Sequence, residues 1–467
     1  VVDGALVFNR SDDITLANAM SGSGTVSKLG SNMLTLTGAQ TYTGSTNISA
    51  GRLVYQNNAT PTTSGFTGSG AVTIEPAAAS FTAAAVTSNY SFDANLTGVT
   101  LGKLNAVTDV TIASNIAIAG PIRVYGGSLS LSAGVGLTTS NASSIGLDSV
   151  KKITMGDGAS LVTQGGDITL NAVVSSTTGS LINTDNLINA NGGNISLSVV
   201  STAPVTGSTF LIQGNTNGGT SLKTSGAGTI SLFADAHSVS TTAGSVWGMD
   251  LRMMNFQTEN GAITLHGIGG FNSANSRGIA VDDATPVSYL SASGTITFID
   301  EKPSNGAAGW TGYKGFYNRS AATLGADGSL VPTSVSNVVY RVDAMTFTNL
   351  VSNINTAGTV TLEPVGSSFT SAVSTSYLAM TGISGLQIGK AGNTANIDIH
   401  RALSVAGPLT VYGGDIALNA AITTTNAGDI SLQGAAITGG FDLGVADGHV
   451  LTVNNTASSS LSGVISG

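Results

Sequence analysis

The chain has 467 residues, of which 9% are charged and 5% aromatic, and it contains 62 glycines and no cysteine. Its net charge of −9 disfavours nucleic acid or an anionic membrane as a partner, because both require clustered lysine and arginine. The lack of cysteine excludes disulfides, thiolate metal sites and cysteine nucleophiles. With 41% hydrophobic residues, the chain is also too apolar for a disordered protein.

The first fifty residues contain short strands of alternating apolar and polar residues, each ended by glycine. The segment contains four recognisable motifs. In chain order, they are a Gly-x-Gly opening followed by a lysine within residues 21–30, a Leu-Thr-Leu strand at 34–36, a Tyr-Thr-Gly turn at 42–44 and a closing Ala-Gly-x-Leu at 50–53. A new strand about every ten residues predicts a chain wound into stacked β-coils. Glycine is expected at the corners because it tolerates the positive φ of a tight turn.

This opening segment resembles the autotransporter-associated β-strand repeat, which occurs in the secreted passenger regions of bacterial surface proteins. The resemblance implies a secreted, extracellular or outer-membrane-surface location, and an outer-membrane transporter as partner during secretion. It implies architecture and an export route rather than chemistry. The first residues lack the basic start and the long apolar core of a signal peptide, so we expect a mature form or an excised piece.

A glycine-led phrase recurs along the rest of the chain: glycine, a small or polar residue, then an apolar residue, a Thr, Ser or Ala, and a second apolar residue. Since alternate residues are apolar, each phrase predicts a strand with one buried face. The phrase resembles the repeats of filamentous-haemagglutinin-like adhesins of two-partner secretion. Its copies are Gly127–Leu131, Gly166–Leu170, Gly193–Leu197, Gly228–Leu232, Gly261–Leu265, Gly294–Phe298, Gly358–Leu362, Gly414–Leu418 and Gly428–Leu432.

A longer duplication joins two distant parts of the chain. Residues 70–76 return as 358–364, at an offset of 358 − 70 = 288. Residues 119–127 return as 406–414, at an offset of 406 − 119 = 287. The nearly constant offset indicates an array that grew by copying a segment almost without insertions.

These patterns predict an all-β fold, a right-handed parallel β-helix that forms a single elongated rod, with coils of roughly 20–25 residues. No sustained i, i+3, i+4 apolar stripe predicts a helix. The expected segments are autotransporter-type repeat coils at 1–69, a first duplicated solenoid unit at 70–142, haemagglutinin-like coils at 143–298, an aromatic-rich insertion or loop at 299–337, and the second duplicated unit at 338–467, which ends in the start of another repeat.

Residues 299–320 depart from the repeat pattern and hold a dense mixture of charged and aromatic residues. Trp310, Tyr313, Phe316 and Tyr317 lie within one loop length, in a chain otherwise poor in rings. Exposed aromatic side chains with a polar tip stack on sugar rings or anchor a protein partner, which makes these four residues the candidate ligand-binding set. The alternative is an insertion that folds over the solenoid and covers a patch or a sheet edge.

No catalytic residue, cofactor or metal site is predicted. The histidines have no partner at ligand spacing and are interpreted as surface or turn residues; they are His237, His266, His400 and His449. Adjacent acidic residues on a strand point to opposite faces, so they suit the paired carboxylates of a glycosidase poorly; these pairs are Asp12–Asp13, Asp282–Asp283 and Asp300–Glu301. Calcium at Asp167, Asp415 and Asp429 stays an alternative, although the nonapeptide of calcium-binding β-rolls is missing.

Together these features predict a non-enzymatic bacterial adhesin or structural stalk, whose partner is a host or cell-surface glycan or protein. No apolar run approaches the roughly 18 residues of a membrane helix, so no membrane insertion is expected. A self-assembling filament is the alternative, because residues 451–454 and 461–467 echo residues 6–9 and 16–22, as expected of units that stack head to tail. A polysaccharide-degrading β-helix enzyme is a third hypothesis and would need carboxylates clustered in one groove.

Overall fold

The computed structural model describes residues 1–467 except 88–89, 175–178, 185–186, 203–208, 215–218, 240–243, 282–286, 305–311, 320, 348–350 and 427. The regular structure of this described part consists of β-strands, without an α-helix. Two compact units are present: residues 1–203 with 217–224 form unit 1, and residues 204–216 with 225–467 form unit 2. The described residues contain no helix with the length and hydropathy that a membrane crossing needs.

The strands are short, and most span three to seven residues. Those of unit 1 are Ala5–Phe8, Ile14–Leu16, Met20–Gly22, Thr25–Lys28, Met33–Leu36, Gln40–Tyr42, Thr46–Ile48, Arg52–Gln56, Gly65–Gly68, Ala71–Glu75, Ala85–Val86, Ser91–Phe92, Gly98–Leu101, Val110–Ile112, Ile116–Ile118, Ile122–Leu131, Gly136–Thr139, Ile145–Met155, Ser160–Val162, Ile168–Val174, Gly179–Thr184, Leu187–Asn189, Ile195–Ser201 and Thr220–Lys223. Those of unit 2 are Thr209–Gly214, Ile230–Asp235, Ser245–Asp250, Met254–Gln257, Ile263–Ile268, Asn275–Val281, Val287–Leu290, Ile296–Glu301, Phe316–Asn318, Ala322–Gly325, Val338–Val342, Met345–Phe347, Ser352–Asn355, Thr359–Glu363, Val373–Ser374, Leu378–Thr381, Gly385–Ile388, Ile397–Ile399, Leu403–Val405, Leu409–Tyr412, Ile416–Leu418, Ile422–Thr424, Ile430–Gly434, Ile437–Gly439, Leu443–Gly444, Leu451–Asn455, Ser460–Leu461 and Ile465–Ser466.

Strands pair in parallel with the strand one coil further along the chain. In unit 1, Ile122 lies opposite Ile145, Ile145 opposite Ile168, and Ile168 opposite Ile195. All four side chains are fully buried, and each contributes about 1.5–3 kcal/mol through burial of its apolar surface. Because one turn of chain separates each strand from its parallel partner, the predicted all-β, parallel β-helix is confirmed.

The coils vary more in length than the sequence pattern predicts. Stacked residues are separated by 52 − 33 = 19 positions between Met33 and Arg52, and by 338 − 296 = 42 between Ile296 and Val338. The expected range of roughly 20–25 residues is therefore too narrow. Loops between strands lengthen without disturbing the strand ladder, because they run over the surface.

The glycines that open the recurring phrase are needed for a different reason from the expected one. Gly193, Gly261 and Gly294 do not have positive φ. Instead, a Cβ at Gly261 would lie 1.8 Å from the carbonyl oxygen of Gly228, and one at Gly294 would lie 1.8 Å from the carbonyl oxygen of Gly261. The backbones of stacked coils approach too closely at this corner for any side chain.

Asp or Asn often stands immediately before a strand and bonds to the next coil, an arrangement that we call the Asx brace. Asp167 Oδ1 accepts the backbone N–H of Asn194 at 2.8 Å, and Asp429 Oδ1 accepts that of Val450 at 2.9 Å. The same bond joins Asp13 to Met33, Asp109 to Ser128, Asn115 to Gly136, Asn337 to Thr359, Asn396 to Asp415 and Asp442 to Val464. The brace satisfies a backbone donor that the strand ladder leaves open.

The two copies of the long duplication form the same strands in their respective units. Ala71–Glu75 corresponds to Thr359–Glu363, and Val110–Ile112 to Ile397–Ile399, at offsets of 359 − 71 = 288 and 397 − 110 = 287. A side-chain bond is also repeated: Ala113 N–H donates to Thr87 Oγ1, and His400 N–H donates to Thr375 Oγ1, both at 3.0 Å. The copied sequence therefore folds in the same way twice.

Candidate functional site

The four candidate aromatic residues lie in different environments. Trp310 is outside the described residues. Tyr313 is half-buried, and its hydroxyl donates to the side chain of Asp300. Phe316 is 2% exposed, whereas Tyr317 is half-buried at the surface. Ligand binding by this set stays a prediction.

Phe316 belongs to a row of packed rings in the core of unit 2. Its ring lies 5.5 Å from those of Phe298 and Tyr340, in edge-to-face arrangements, and 5.9 Å from that of Phe347. Phe298 and Tyr340 stack at 4.9 Å on neighbouring coils. Such ring pairs contribute about 0.5–1.5 kcal/mol beyond their burial. Phe316 therefore anchors the middle of the long 299–337 segment to the core.

The buried carboxyl of Asp300 anchors Tyr313, another aromatic residue of the 299–337 segment. Asp300 is fully buried; its Oδ2 accepts the backbone N–H of Ile279 at 2.6 Å, and its Oδ1 accepts the Tyr313 hydroxyl. Burial raises the pKa of the Asp300 carboxyl to about 7, although these two hydrogen bonds and the charge of Arg277 oppose the rise. Burial and the nearby Asp300 carboxyl raise the pKa of Tyr313 well above its usual value. Tyr313 thus remains a hydrogen-bond donor at neutral pH.

Aromatic and arginine side chains follow neighbouring strands of unit 2. Phe210 lies opposite Trp247, and Trp247 opposite Arg277. The rings of Phe210 and Trp247 are 5.1 Å apart, and the Arg277 guanidinium lies 4.2 Å from the centre of the Tyr317 ring. Phe210, Arg277 and Tyr317 are half-buried, and Trp247 is 6% exposed. We call these four residues the aromatic–arginine column.

An ion pair lies beside this column. Asp250 is fully buried, and its Oδ2 lies 2.8 Å from Arg252 Nε. The same oxygen accepts a hydrogen bond from Gln213 Nε2 at 3.0 Å. The Arg252 guanidinium lies 5.9 Å from the centre of the Phe210 ring. The region therefore holds two arginines over aromatic rings, a chemistry that favours stacking and cation–π contacts.

The acidic pairs and histidines are distributed as follows. Asp300 is buried while its neighbour Glu301 pairs with His266 Nε2 at 2.7 Å, so the two carboxylates face different surroundings. Asp282 and Asp283 are outside the described residues. Each of the other histidines also lies near one carboxylate, which sequence spacing did not indicate: His237 near Asp235, His400 near Asp398 and His449 near Asp429.

The described residues bring together no group of three or more His, Asp or Glu side chains suited to a metal ion. Two of the three aspartates considered for calcium, Asp167 and Asp429, use a carboxylate oxygen in the Asx brace. The third, Asp415, has an exposed side chain, and its backbone N–H donates to the Asn396 side chain in another Asx brace. Coil-to-coil hydrogen bonding therefore explains the carboxylates of Asp167 and Asp429.

Sequence reasoning missed Phe210, Trp247, Arg252 and Arg277. Stacked members of the column are 247 − 210 = 37 and 277 − 247 = 30 positions apart, so no fixed period links them. The available signal was compositional: Trp247 is one of two tryptophans in the chain. To predict the column, one would have to compare successive coils and look for aromatic residues at equivalent positions.

The first coils of unit 1 enclose buried polar side chains. Lys28 is fully buried, and its Nζ donates to the carbonyl oxygens of Gly30 and Ala50, the latter at 2.9 Å. Burial lowers the pKa of Lys28. Tyr42 and Tyr55 are buried with their hydroxyls in contact with each other, and Thr46 Oγ1 lies 2.6 Å from the Tyr42 hydroxyl. The lysine, tyrosines and glycines of this segment are thus structural.

This same segment is the part of the chain that is similar to a known family. Residues 26–54 match the family described as passenger-associated-transport-repeat. No curated protein and no solved structure matches the chain. The predicted resemblance to an autotransporter passenger repeat is confirmed for this segment. Repeats of this family imply association with an outer-membrane transporter and a secreted or outer-membrane-surface location.

Proposed function

We propose that this chain, which carries a passenger-type repeat at residues 26–54, is a non-enzymatic β-solenoid displayed outside a bacterial cell as an adhesin or structural stalk. The repeat is the observation that carries the proposal. Parallel coil stacking supports it, since each coil contacts its neighbours and length grows with copy number. The buried acids Asp250 and Asp300 are engaged in ion-pair and hydrogen-bond contacts, which favours a structural role for both.

Attachment is proposed to involve the 299–337 segment together with the aromatic–arginine column. Tyr317 and the column arginine Arg277 present a half-buried ring and a guanidinium on one surface of unit 2. Tyr, Trp and Arg are the residues that most often dominate binding to protein partners. Trp310, which lies outside the described residues, is included in the proposed contact set from the sequence alone. Tyr313 and Phe316 contribute by anchoring the segment.

Surface display is tested by labelling intact cells that express the protein. Antibody against the chain should bind intact cells, and external protease should remove the signal. A signal that appears only after lysis would contradict surface display. Attachment is tested separately, with beads coated with the purified chain and counted on host cells or on cells of the producing strain.

The matched variants for attachment are Trp310→Ala and Tyr317→Ala, with Tyr125→Ala in unit 1 as a control. Bead attachment should fall several-fold for the first two and stay unchanged for the control. Equal attachment of all variants would exclude this segment as the contact surface. Attachment by none of the coated beads, on any cell type, would favour the stalk over the adhesin.

A self-assembling filament is the second candidate. Residues 451–454 and 461–467 echo residues 6–9 and 16–22, and Val453 and Ile465 are exposed on strands of the last coils. Exposed strand edges invite pairing with another chain. Electron microscopy of the purified chain tests this. Continuous fibres would support the filament, and isolated particles at all concentrations would contradict it.

A further inference from the structure

A shallow groove of about 470 Å³, lined by uncharged residues, lies in unit 2 and shares no residue with the aromatic–arginine column. It follows the stacked strands Leu409–Tyr412, Ile430–Gly434 and Leu451–Asn455, on which Tyr412 lies opposite Gln433, and Gln433 opposite Asn454. The volume falls in the range of about 300–1,000 Å³ typical of small-molecule sites. The lining residues are Ala391, Gly392, Asn393, Thr394, Tyr412, Gly413, Gly414, Gln433, Gly434, Ala435, Asn454 and Thr456, none of which is charged.

Glycines keep the floor of the groove low. Gly413 and Gly414 form the turn between strands Leu409–Tyr412 and Ile416–Leu418. A Cβ at Gly434 would lie 2.8 Å from the carbonyl oxygen of Gly414, and one at Gly414 would lie 2.3 Å from that of Thr394. Side chains are thus excluded where the coils approach, and the backbone itself forms the floor.

A buried asparagine fixes the wall of the groove. Asn393 is 6% exposed; its Nδ2 donates to the carbonyl oxygen of Tyr412 at 2.8 Å, and its Oδ1 accepts the Ser368 hydroxyl at 2.9 Å. These bonds tie the loop before strand Ile397–Ile399 to the Tyr412 backbone. A wall held in this way is organised before any ligand arrives, which reduces the entropy cost of binding.

The groove presents hydrogen-bonding groups that the described part of the chain does not use. The Tyr412 hydroxyl, the Asn454 amide and the Thr456 hydroxyl make no hydrogen bond with any described residue. Gln433 donates only to Ser431 Oγ, at 3.1 Å, and its amide oxygen is unoccupied by described residues. The half-buried Tyr412 ring therefore lies on successive coils with the Gln433 and Asn454 amides, and the Thr456 hydroxyl also lines the groove.

The duplicated segment in unit 1 gives an internal comparison. The same Val-Tyr-Gly-Gly sequence occurs at residues 124–127, within strand Ile122–Leu131, whose register to the next coil shifts between Gly126 and Ser128. Tyr125 lies opposite Asp148, and Lys151 Nζ lies 2.9 Å from Asp109 Oδ1 in the same region. The first copy is thus charged where the second copy is neutral.

We infer that the groove of unit 2 binds a neutral saccharide. Tyrosine offers a ring face for the C–H surface of a sugar, while amides and hydroxyls match its hydroxyl groups. Coils stack about 4.8 Å apart, close to the length of one hexose unit in an extended polysaccharide. The net charge of −9 and the uncharged lining select against acidic saccharides.

The test is saturation-transfer NMR and calorimetry on the full purified chain. The neutral probes are cellohexaose, mannohexaose and galactohexaose, and the acidic probe is hexagalacturonate. At least one neutral hexasaccharide should bind, and Tyr412→Ala should weaken its affinity about tenfold. Tyr412→Phe should retain most of the affinity, because the ring remains. Tyr125→Ala is the matched control and should leave it unchanged.

Three results would overturn the inference. One is no binding of any neutral probe at about 10 mM, where even weak sites are detectable. The second is tighter binding of hexagalacturonate, and the third is an equal loss in the Tyr125→Ala control. Binding of a soluble sugar by the purified chain does not require export. A failure to bind sugar would therefore leave the proposal of surface display unaffected, and a failure of surface display would leave the saccharide site unaffected.

Discussion

Asp300→Asn should remove a pH dependence from the stability of unit 2. Burial raises the pKa of the Asp300 carboxyl from 3.8 to about 7. A carboxyl whose pKa rises on folding stabilises the folded state below its unfolded pKa, and this contribution is lost as pH rises through the folded pKa. At about 1.36 kcal/mol per pKa unit, the free energy of unfolding should fall by up to about 4 kcal/mol between about pH 4 and pH 8.

The asparagine variant is expected to keep the local hydrogen bonds. Its amide oxygen can accept the backbone N–H of Ile279, while its amide N–H donates to the Tyr313 hydroxyl. That hydroxyl can in turn donate to the carbonyl oxygen of residue 300, which lies 3.1 Å away. The variant should therefore match the wild type near pH 4 and exceed it at pH 8 by up to about 4 kcal/mol.

Urea unfolding followed by tryptophan fluorescence at several pH values is the assay, because Trp247 is largely buried in unit 2. Since a solenoid can unfold in parts, hydrogen exchange at the Ile279 amide provides a local measurement. Asp415→Asn, at an exposed position, is the matched control and should keep the wild-type pH profile. Parallel pH profiles for the wild type and Asp300→Asn would refute the reasoning.

Three further substitutions test the packing directly. Gly261→Ala should cost about 3 kcal/mol or more in urea unfolding, because the new Cβ would lie 1.8 Å from the Gly228 carbonyl oxygen. Phe316→Ala should cost about 3–5 kcal/mol, since its ring packs among core rings. Asp429→Ala should speed exchange of the Val450 amide, which loses its acceptor. The Val450 bond lowers the pKa of Asp429, so in the wild type this protection should be lost only as pH falls through that lowered pKa.

Each of these has a matched control. Gly4→Ala meets no atom within 4 Å and should change stability by less than about 0.5 kcal/mol. Tyr317→Ala, at a half-buried position, should cost less than Phe316→Ala. Asp429→Asn keeps an acceptor oxygen, so the Val450 amide should stay protected and its protection should not respond to acid. Equal costs for Gly4→Ala and Gly261→Ala would contradict the close-approach explanation.

The architecture of the chain follows from short sequence patterns. Alternating apolar residues after the glycine of each recurring phrase fix which face of the strand is buried, as at Ile168, Ile195 and Ile263. The duplicated segments also fold alike because stacking depends only on neighbouring coils. The repeat at residues 26–54 was recognisable for the same reason.

The side chains that meet across coils could not be predicted without the three-dimensional structure. Loop lengths vary between strands, so the register that sets Trp247 against Arg277, or Tyr412 against Gln433, has no fixed sequence period. The role of Asp300 was equally hidden, because its pKa depends on burial by residues from other coils. Strand formation depends on local sequence, so short patterns predict it. Surface columns and buried charges, in contrast, arise from the stacking of segments that are distant in sequence.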